Sequence, residues 1–158
     1  MLKHELNQCQ EWIEFDIPSI IALRKDYSDT MDFIKDELPD VNWDSRIETK
    51  DYFSSTFGIF LDNTTVSTLK SYQSMTESFS EKTHFVLTGL IEYYKIKYTI
   101  RNYLDNILKH NVEGVVNLRR EDNQILMPNK RPLPTSPSIT ECIKNVSSNL
   151  THYLKENI

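Results

Sequence analysis

The side chains best suited to metal or nucleophilic chemistry are scattered along this chain of 158 residues. They are four histidines and two cysteines: His4, Cys9, His84, His110, Cys142 and His152. No two of them have the close spacing that brings metal ligands or a catalytic pair together. Phosphate-cradling loops and nucleophile elbows need several glycines, and the chain has three. The sequence therefore predicts no catalytic residue, no metal site and no cofactor, and it points away from an enzyme.

Charge is divided unevenly along the chain. The formal total is −5, which argues against a protein that coats nucleic acid with its whole surface. Residues 1–89 carry a net −8, residues 90–131 a net +3, and residues 132–158 are neutral. The distribution leaves room for a basic, DNA-facing region beside an acidic half.

The chain has no feature of a membrane or secreted protein. No apolar run approaches the roughly 20 residues of a membrane-spanning helix, and residues 1–12 lack the apolar core of a signal peptide. We therefore expect no membrane partner and a cytoplasmic location, in the host cytoplasm if the protein is encoded by a phage.

Scarce glycine and three- to four-residue hydrophobic spacing predict a mainly α fold. The predicted helices are 2–15, 18–38, a short one from Ser45 to Gly58, a second short one from Asn63 or Thr64 to Tyr72, and a long one at 82–110. Ser45 and Glu48 have the spacing of a capping box, and Gly58 suits a helix end.

The C-terminal part has a different character. Residues 112–127 are prone to form strands and predict a small β-hairpin that turns around Arg119 to Asn123. A proline-rich connector and a final helix, Ser138 to Glu156, follow. The predicted domains are thus a helical domain, residues 1–111, and a C-terminal part, residues 112–158. Lys130-Arg131-Pro132 lies in the connector, which is typical of a rigid linker and also resembles a proline-rich ligand for a recognition domain.

An ordered set of motifs resembles the thumb subdomain of family A DNA polymerases, including phage enzymes, over about residues 5–118. The motifs are Asn42 with Ser45, Gly58, Thr64 with Leu69, Glu92-Tyr93, and Tyr103-Leu104-Asp105. In that family a short helix and a small tip helix precede a long helix. The palm, the fingers and their metal-binding aspartates have no counterpart in this chain, so the resemblance implies no polymerase activity for the chain alone.

The resemblance implies that the protein binds the backbone of duplex DNA or docks with a polymerase or another replication protein. Asn42, Ser45 and Thr64 would contact phosphates, as small polar side chains at helix N-termini do. Lys95, Lys97 and Arg101 would add positive charge from the long helix. Two positions that are basic in the family are Tyr94 and Tyr98 here, so any DNA binding should be weak.

A second hypothesis is a protein-protein interaction module. In this interpretation the protein is a phage or bacterial module whose acidic helical face, in the N-terminal half, binds another protein. The two hypotheses differ in what the cations do. Clustering of the basic residues beside Asn42 and Ser45 would favour DNA, and their dispersal would favour a protein partner.

Overall fold

The computed structural model describes residues 10–75, 79–121, 124–145 and 148–156. The elements in chain order are β1 (Gln10–Glu14), α1 (Ile17–Glu37), α2 (Arg46–Phe57), α3 (Val66–Gln73), α4 (Glu81–Thr99), a π-helical segment (Ile100–Leu104), α5 (Asp105–His110), β2 (Val115–Glu121), β3 (Gln124–Leu126), α6 (Pro137–Thr140) and α7 (Ser148–Glu156). Helices account for 59% and strands for 14% of the structure. The fold is mainly α, as predicted.

The chain divides into two compact units. Ser28–Lys97 forms one unit, and the described parts of Met1–Tyr27 and Tyr98–Ile158 form the other. We call these the helical unit and the sheet unit. These limits differ from the predicted division after Asn111, because the first strand pairs with a strand that lies about 100 residues later in the chain.

The helical unit is built around a buried aromatic and aliphatic cluster. Its fully buried side chains include Trp43, Phe53, Leu69, Leu87 and Leu90, and Met31 and Ile34 of α1 pack against it. The ring of Tyr52 lies edge-on to Trp43, with 5.2 Å between the ring centroids. This cluster fixes the positions of α1, α2, α3 and α4 within the unit.

The ends of the short helices follow local sequence rules, with one shift. The Ser45 hydroxyl accepts a hydrogen bond from Glu48 N, and Gly58 ends α2 with a φ of 69°, as the capping pattern predicted. The cap of α3 is Thr65, not Asn63 or Thr64. The Asn63 side chain instead accepts hydrogen bonds from the backbone N–H and hydroxyl of Thr65.

The sheet unit contains a three-stranded antiparallel sheet with the order β1-β2-β3. Glu11 and Ile13 of β1 are buried, whereas Trp12 between them is exposed, which is the two-residue period of a strand. β2 and β3 form the expected hairpin, with Arg119 opposite Leu126. Residues 122 and 123 of the predicted turn lie outside the described residues.

Two helix predictions are wrong. Residues 10–14 are a strand and not the end of a helix, because pairing with β2 outweighs the local apolar spacing; residues 2–9 of that prediction lie outside the described residues. The predicted helix from Ser138 to Glu156 is divided into α6 and α7. Between them, the Lys144 N–H donates to Glu14 O, so this stretch extends the sheet edge of β1.

Candidate functional site

The predicted site residues belong to both units. Asn42, Ser45, Thr64, Lys95 and Lys97 lie in the helical unit, and Arg101 lies in the sheet unit. Asn42 is exposed, and Ser45 and Thr64 are half-buried. The three cations predicted to bind DNA are therefore not all in the same unit.

The loop before α2 contains an anion that the sequence interpretation overlooked. The Asp44 carboxylate accepts a hydrogen bond from Lys97 Nζ at 2.7 Å and another from the Tyr93 hydroxyl at 3.0 Å. The Asn42 side chain accepts from Asp44 N at 3.2 Å, which holds the loop in a tight turn. The cation predicted to meet phosphate is therefore already paired with a carboxylate of its own unit.

The charge of Asp44 is stabilised by its neighbours. The Lys97 hydrogen bond, and then that of Tyr93, lower the pKa of Asp44 below the usual aspartate value, against the opposing effect of burial. Burial and the nearby carboxylate raise the pKa of the Tyr93 hydroxyl, which stays protonated and remains a donor. Asp44 is thus ionised at neutral pH and would repel a phosphate at this position.

The two tyrosines at the positions that are basic in the family have structural contacts. The Tyr94 hydroxyl donates to Trp43 O at 2.6 Å, and burial raises its pKa. The Tyr98 hydroxyl accepts from Arg131 at 2.7 Å. Lys95 lies 3.6 Å from Glu92 in an ion pair along α4. Among the predicted cations of the helical unit, both lysines are therefore next to carboxylates.

A second feature is an exposed aromatic ring on an acidic helix. Phe33 of α1 is 66% exposed. Asp29 lies four residues before it, and Asp36 and Glu37 lie three and four residues after it, so these side chains share one side of the helix. All four are exposed. We call this set, Asp29, Phe33, Asp36 and Glu37, the acidic helix face.

The opposite side of α1 explains why Phe33 is exposed. Met31 and Ile34 pack against the core, and Leu38 is buried in it. The side chains of successive helix residues point in directions about 100° apart. Because Met31, Ile34 and Leu38 face the core, the side chain of Phe33 faces solvent. The available sequence signal was an aromatic residue outside the apolar stripe and surrounded by carboxylates.

Two kinds of feature are absent from the described residues, a metal-holding cluster and a membrane-spanning helix. No group of three or more histidine, cysteine, aspartate or glutamate side chains is placed to hold a metal ion there. No described helix combines the length and apolar character needed to cross a membrane.

Comparison with protein-family models, with curated proteins and with solved structures found no match. The resemblance to a polymerase thumb stays a prediction that rests on the sequence motifs.

Proposed function

We propose that the chain is a protein-protein interaction module and that the acidic helix face binds a basic surface of a partner protein. Phe33 inserts into an apolar recess of that surface, and the surrounding carboxylates meet lysine or arginine side chains. The observation that carries the proposal is the 66% exposure of Phe33 amid Asp29, Asp36 and Glu37 on a helix of 21 residues.

The chemistry of this face suits recognition of a protein. An exposed phenyl ring contributes about 2 kcal/mol when a partner buries it, and aromatic anchors in the centre of an interface supply much of its affinity. Surrounding charges raise the association rate and orient the encounter. A rigid helix held by its opposite side loses little conformational entropy on binding.

The charge of the same segment favours a basic partner over duplex DNA. Residues 28–40 contain five carboxylates and one lysine. At the ionic strength of a cell, such a surface repels phosphate groups that come within about 8 Å of it. A replication protein with a basic surface, which the thumb resemblance suggests as a partner, has the required chemistry.

Affinity capture with paired variants tests the proposal. The wild-type protein is immobilised and exposed to a bacterial lysate, and captured proteins are identified and purified for titration calorimetry. Phe33→Ala should raise the dissociation constant of the purified complex by about tenfold or more, as expected for loss of an interface anchor. Asp36→Lys with Glu37→Lys should weaken it further at low salt.

Phe85→Ala is the matched control, because Phe85 is also an exposed phenylalanine of a helix in the helical unit. It should leave the affinity unchanged. The proposal fails if the Phe33 and charge-reversal variants bind every captured protein as the wild type does. It also fails if Phe85→Ala is equally damaging, since binding would then follow general hydrophobicity.

A further inference from the structure

A short loop in the sheet unit, residues 127–131, is held in an unusual backbone conformation, and we call it the basic loop. Lys130 has a φ of 68°, in the left-handed region that residues other than glycine seldom occupy. Lys130 N donates to Met127 O, and Met127 N donates to Arg131 O, both at 2.8 Å. The loop is therefore a closed turn that presents Lys130 and Arg131, both exposed, to solvent.

Side-chain contacts anchor this loop to the π-helical segment. The Asn129 side-chain amide donates to Asn102 O at 2.8 Å, and its oxygen accepts from Arg131 N at 3.2 Å. The Arg131 guanidinium donates to the Tyr98 hydroxyl and lies 5.1 Å from the centroid of that ring. This arrangement pre-organises the guanidinium by a cation–π contact and a hydrogen bond.

Arg101 adds a third cation to the same neighbourhood. It is exposed in the π-helical segment and directly precedes Asn102, whose carbonyl holds Asn129. Single π-helical turns are rare and occur often at functional sites.

Among the described residues, these three cations lack the carboxylate partner that several other cations of the fold have. Lys95, Lys97, Arg24, Arg119 and Lys144 each have a carboxylate partner. Within the part of the chain that the structure describes, no ion pair involves Arg101, Lys130 or Arg131. Strained backbone such as that at Lys130 persists where surrounding contacts hold the conformation in place, and such strain clusters at binding sites.

We propose that Arg101, Lys130 and Arg131 form a site for the phosphate groups of a nucleic-acid strand. The guanidinium of Arg131 offers its remaining N–H donors to phosphate oxygens, and Lys130 and Arg101 supply point charges. The site reads no sequence, because its contacts are to the backbone. It is distinct from the acidic helix face and does not depend on it.

Fluorescence anisotropy with a labelled single-stranded oligonucleotide and the matching duplex tests the site. Each is titrated with the full-length protein between about 50 mM and 200 mM salt. Lys130→Gly removes the charge while suiting the positive φ, so the loop should fold at least as well. Arg101→Gln removes the second charge at an exposed position. Lys70→Gln, at an exposed lysine of α3 in the helical unit, is the control.

We expect the wild type to bind at low salt and the Arg101→Gln/Lys130→Gly double variant to bind about tenfold or more weakly. The slope of log affinity against log salt should fall by about 2, one for each lost phosphate contact, and Lys70→Gln should match the wild type. Tighter binding of either oligonucleotide form supports the site and identifies the preferred strand form. Three results overturn it: no binding to either form at low salt, an unchanged slope in the double variant, or an equal loss in Lys70→Gln.

Discussion

At the scale of single residues, the pairing of Asp44 with Lys97 decides how the predicted phosphate contacts are interpreted. The thumb resemblance assigns phosphate contacts to Asn42 and Ser45, and Lys97 is a nearby cation of the long helix. The structure joins Lys97 to a carboxylate in the loop that holds Asn42. A lysine in an ion pair releases fewer counterions from DNA than a free one, so its contribution to DNA affinity is smaller.

Replacement of Asp44 by Asn should lower stability in a pH-dependent way. Folding lowers the pKa of Asp44. The stabilisation that its charge provides is therefore complete at pH values above about 4, the ordinary pKa of aspartate, and it is lost as the pH falls through the lower pKa of the folded protein. Because the Asp44 side chain is 44% exposed, solvent screening limits the loss in Asp44→Asn at pH 7 to about 0.5 kcal/mol.

Urea unfolding of both proteins at neutral and at strongly acidic pH measures this difference. The two proteins should converge in acid, because Asp44 of the wild type is then protonated. A stability gap that stays constant over the whole pH range would show that the charge of Asp44 has no part in it.

Gly58 is a second position where one residue determines local structure. Its φ of 69° is the left-handed conformation, and a Cβ there would meet no atom within 4 Å. Gly58→Ala should therefore cost only backbone strain, about 1 kcal/mol, without a steric clash. Thermal unfolding measures the loss, and Gly58→Asn should lose less because asparagine tolerates this conformation. Equal stability of Gly58→Ala and the wild type would contradict the assigned helix end.

At the scale of elements, α1 has one side that packs against the core and one side that is exposed, and the residue that caps α2 has two candidate roles. α1 packs Met31 and Ile34 inward and presents Phe33 outward. The N-terminus of α2 is closed by Ser45, which the thumb resemblance also suggests as a phosphate contact. Capping and phosphate binding make different demands on the charge at this position.

Ser45→Ala and Ser45→Asp separate these two roles. Loss of the cap in Ser45→Ala should destabilise the protein by about 1 kcal/mol, whereas aspartate is an equally good cap and should preserve stability. A phosphate contact, in contrast, would be weakened by alanine and weakened more by the negative charge of aspartate. Chemical denaturation and duplex-DNA titration of both variants measure the two effects. A destabilised Ser45→Asp variant would contradict the capping role.

At the scale of the whole molecule, the two proposed surfaces belong to different units. The acidic helix face is in Ser28–Lys97, and the basic loop is in the unit that contains Tyr98–Ile158. The net charge of −5 hides this division. The two proposed surfaces share no residue, so variants of one surface can be tested without changing the other.

The helical unit should depend on its aromatic core. Phe53 is fully buried and lies 5.6 Å from Phe57 and 6.1 Å from Tyr52 between ring centroids. Phe53→Ala should therefore cost about 3 to 5 kcal/mol by lost burial and cavity formation. Hydrogen exchange should show faster exchange in Ser28–Lys97 for this variant. Exchange at the wild-type rate in that range would exclude Phe53 as a core residue of the unit.

The sequence determined the parts of this protein that local chemistry controls. Scarce glycine and apolar periodicity gave the mainly α class, the long α1 and the helical run from α4 to α5. The Ser45 cap, the Gly58 helix end and the β2–β3 hairpin were also predictable, because each depends on residues only a few positions apart.

Only the tertiary structure decided which distant residues meet. β1 is a strand because β2 pairs with it from about 100 residues away, and no local pattern encodes that partner. The Asp44–Lys97 pair and the attachment of Asn129 to Asn102 likewise join segments 53 and 27 residues apart. These contacts changed the interpretation of Lys97 and led to the proposal for the basic loop, because an ion pair reduces the charge that a side chain offers to another ligand.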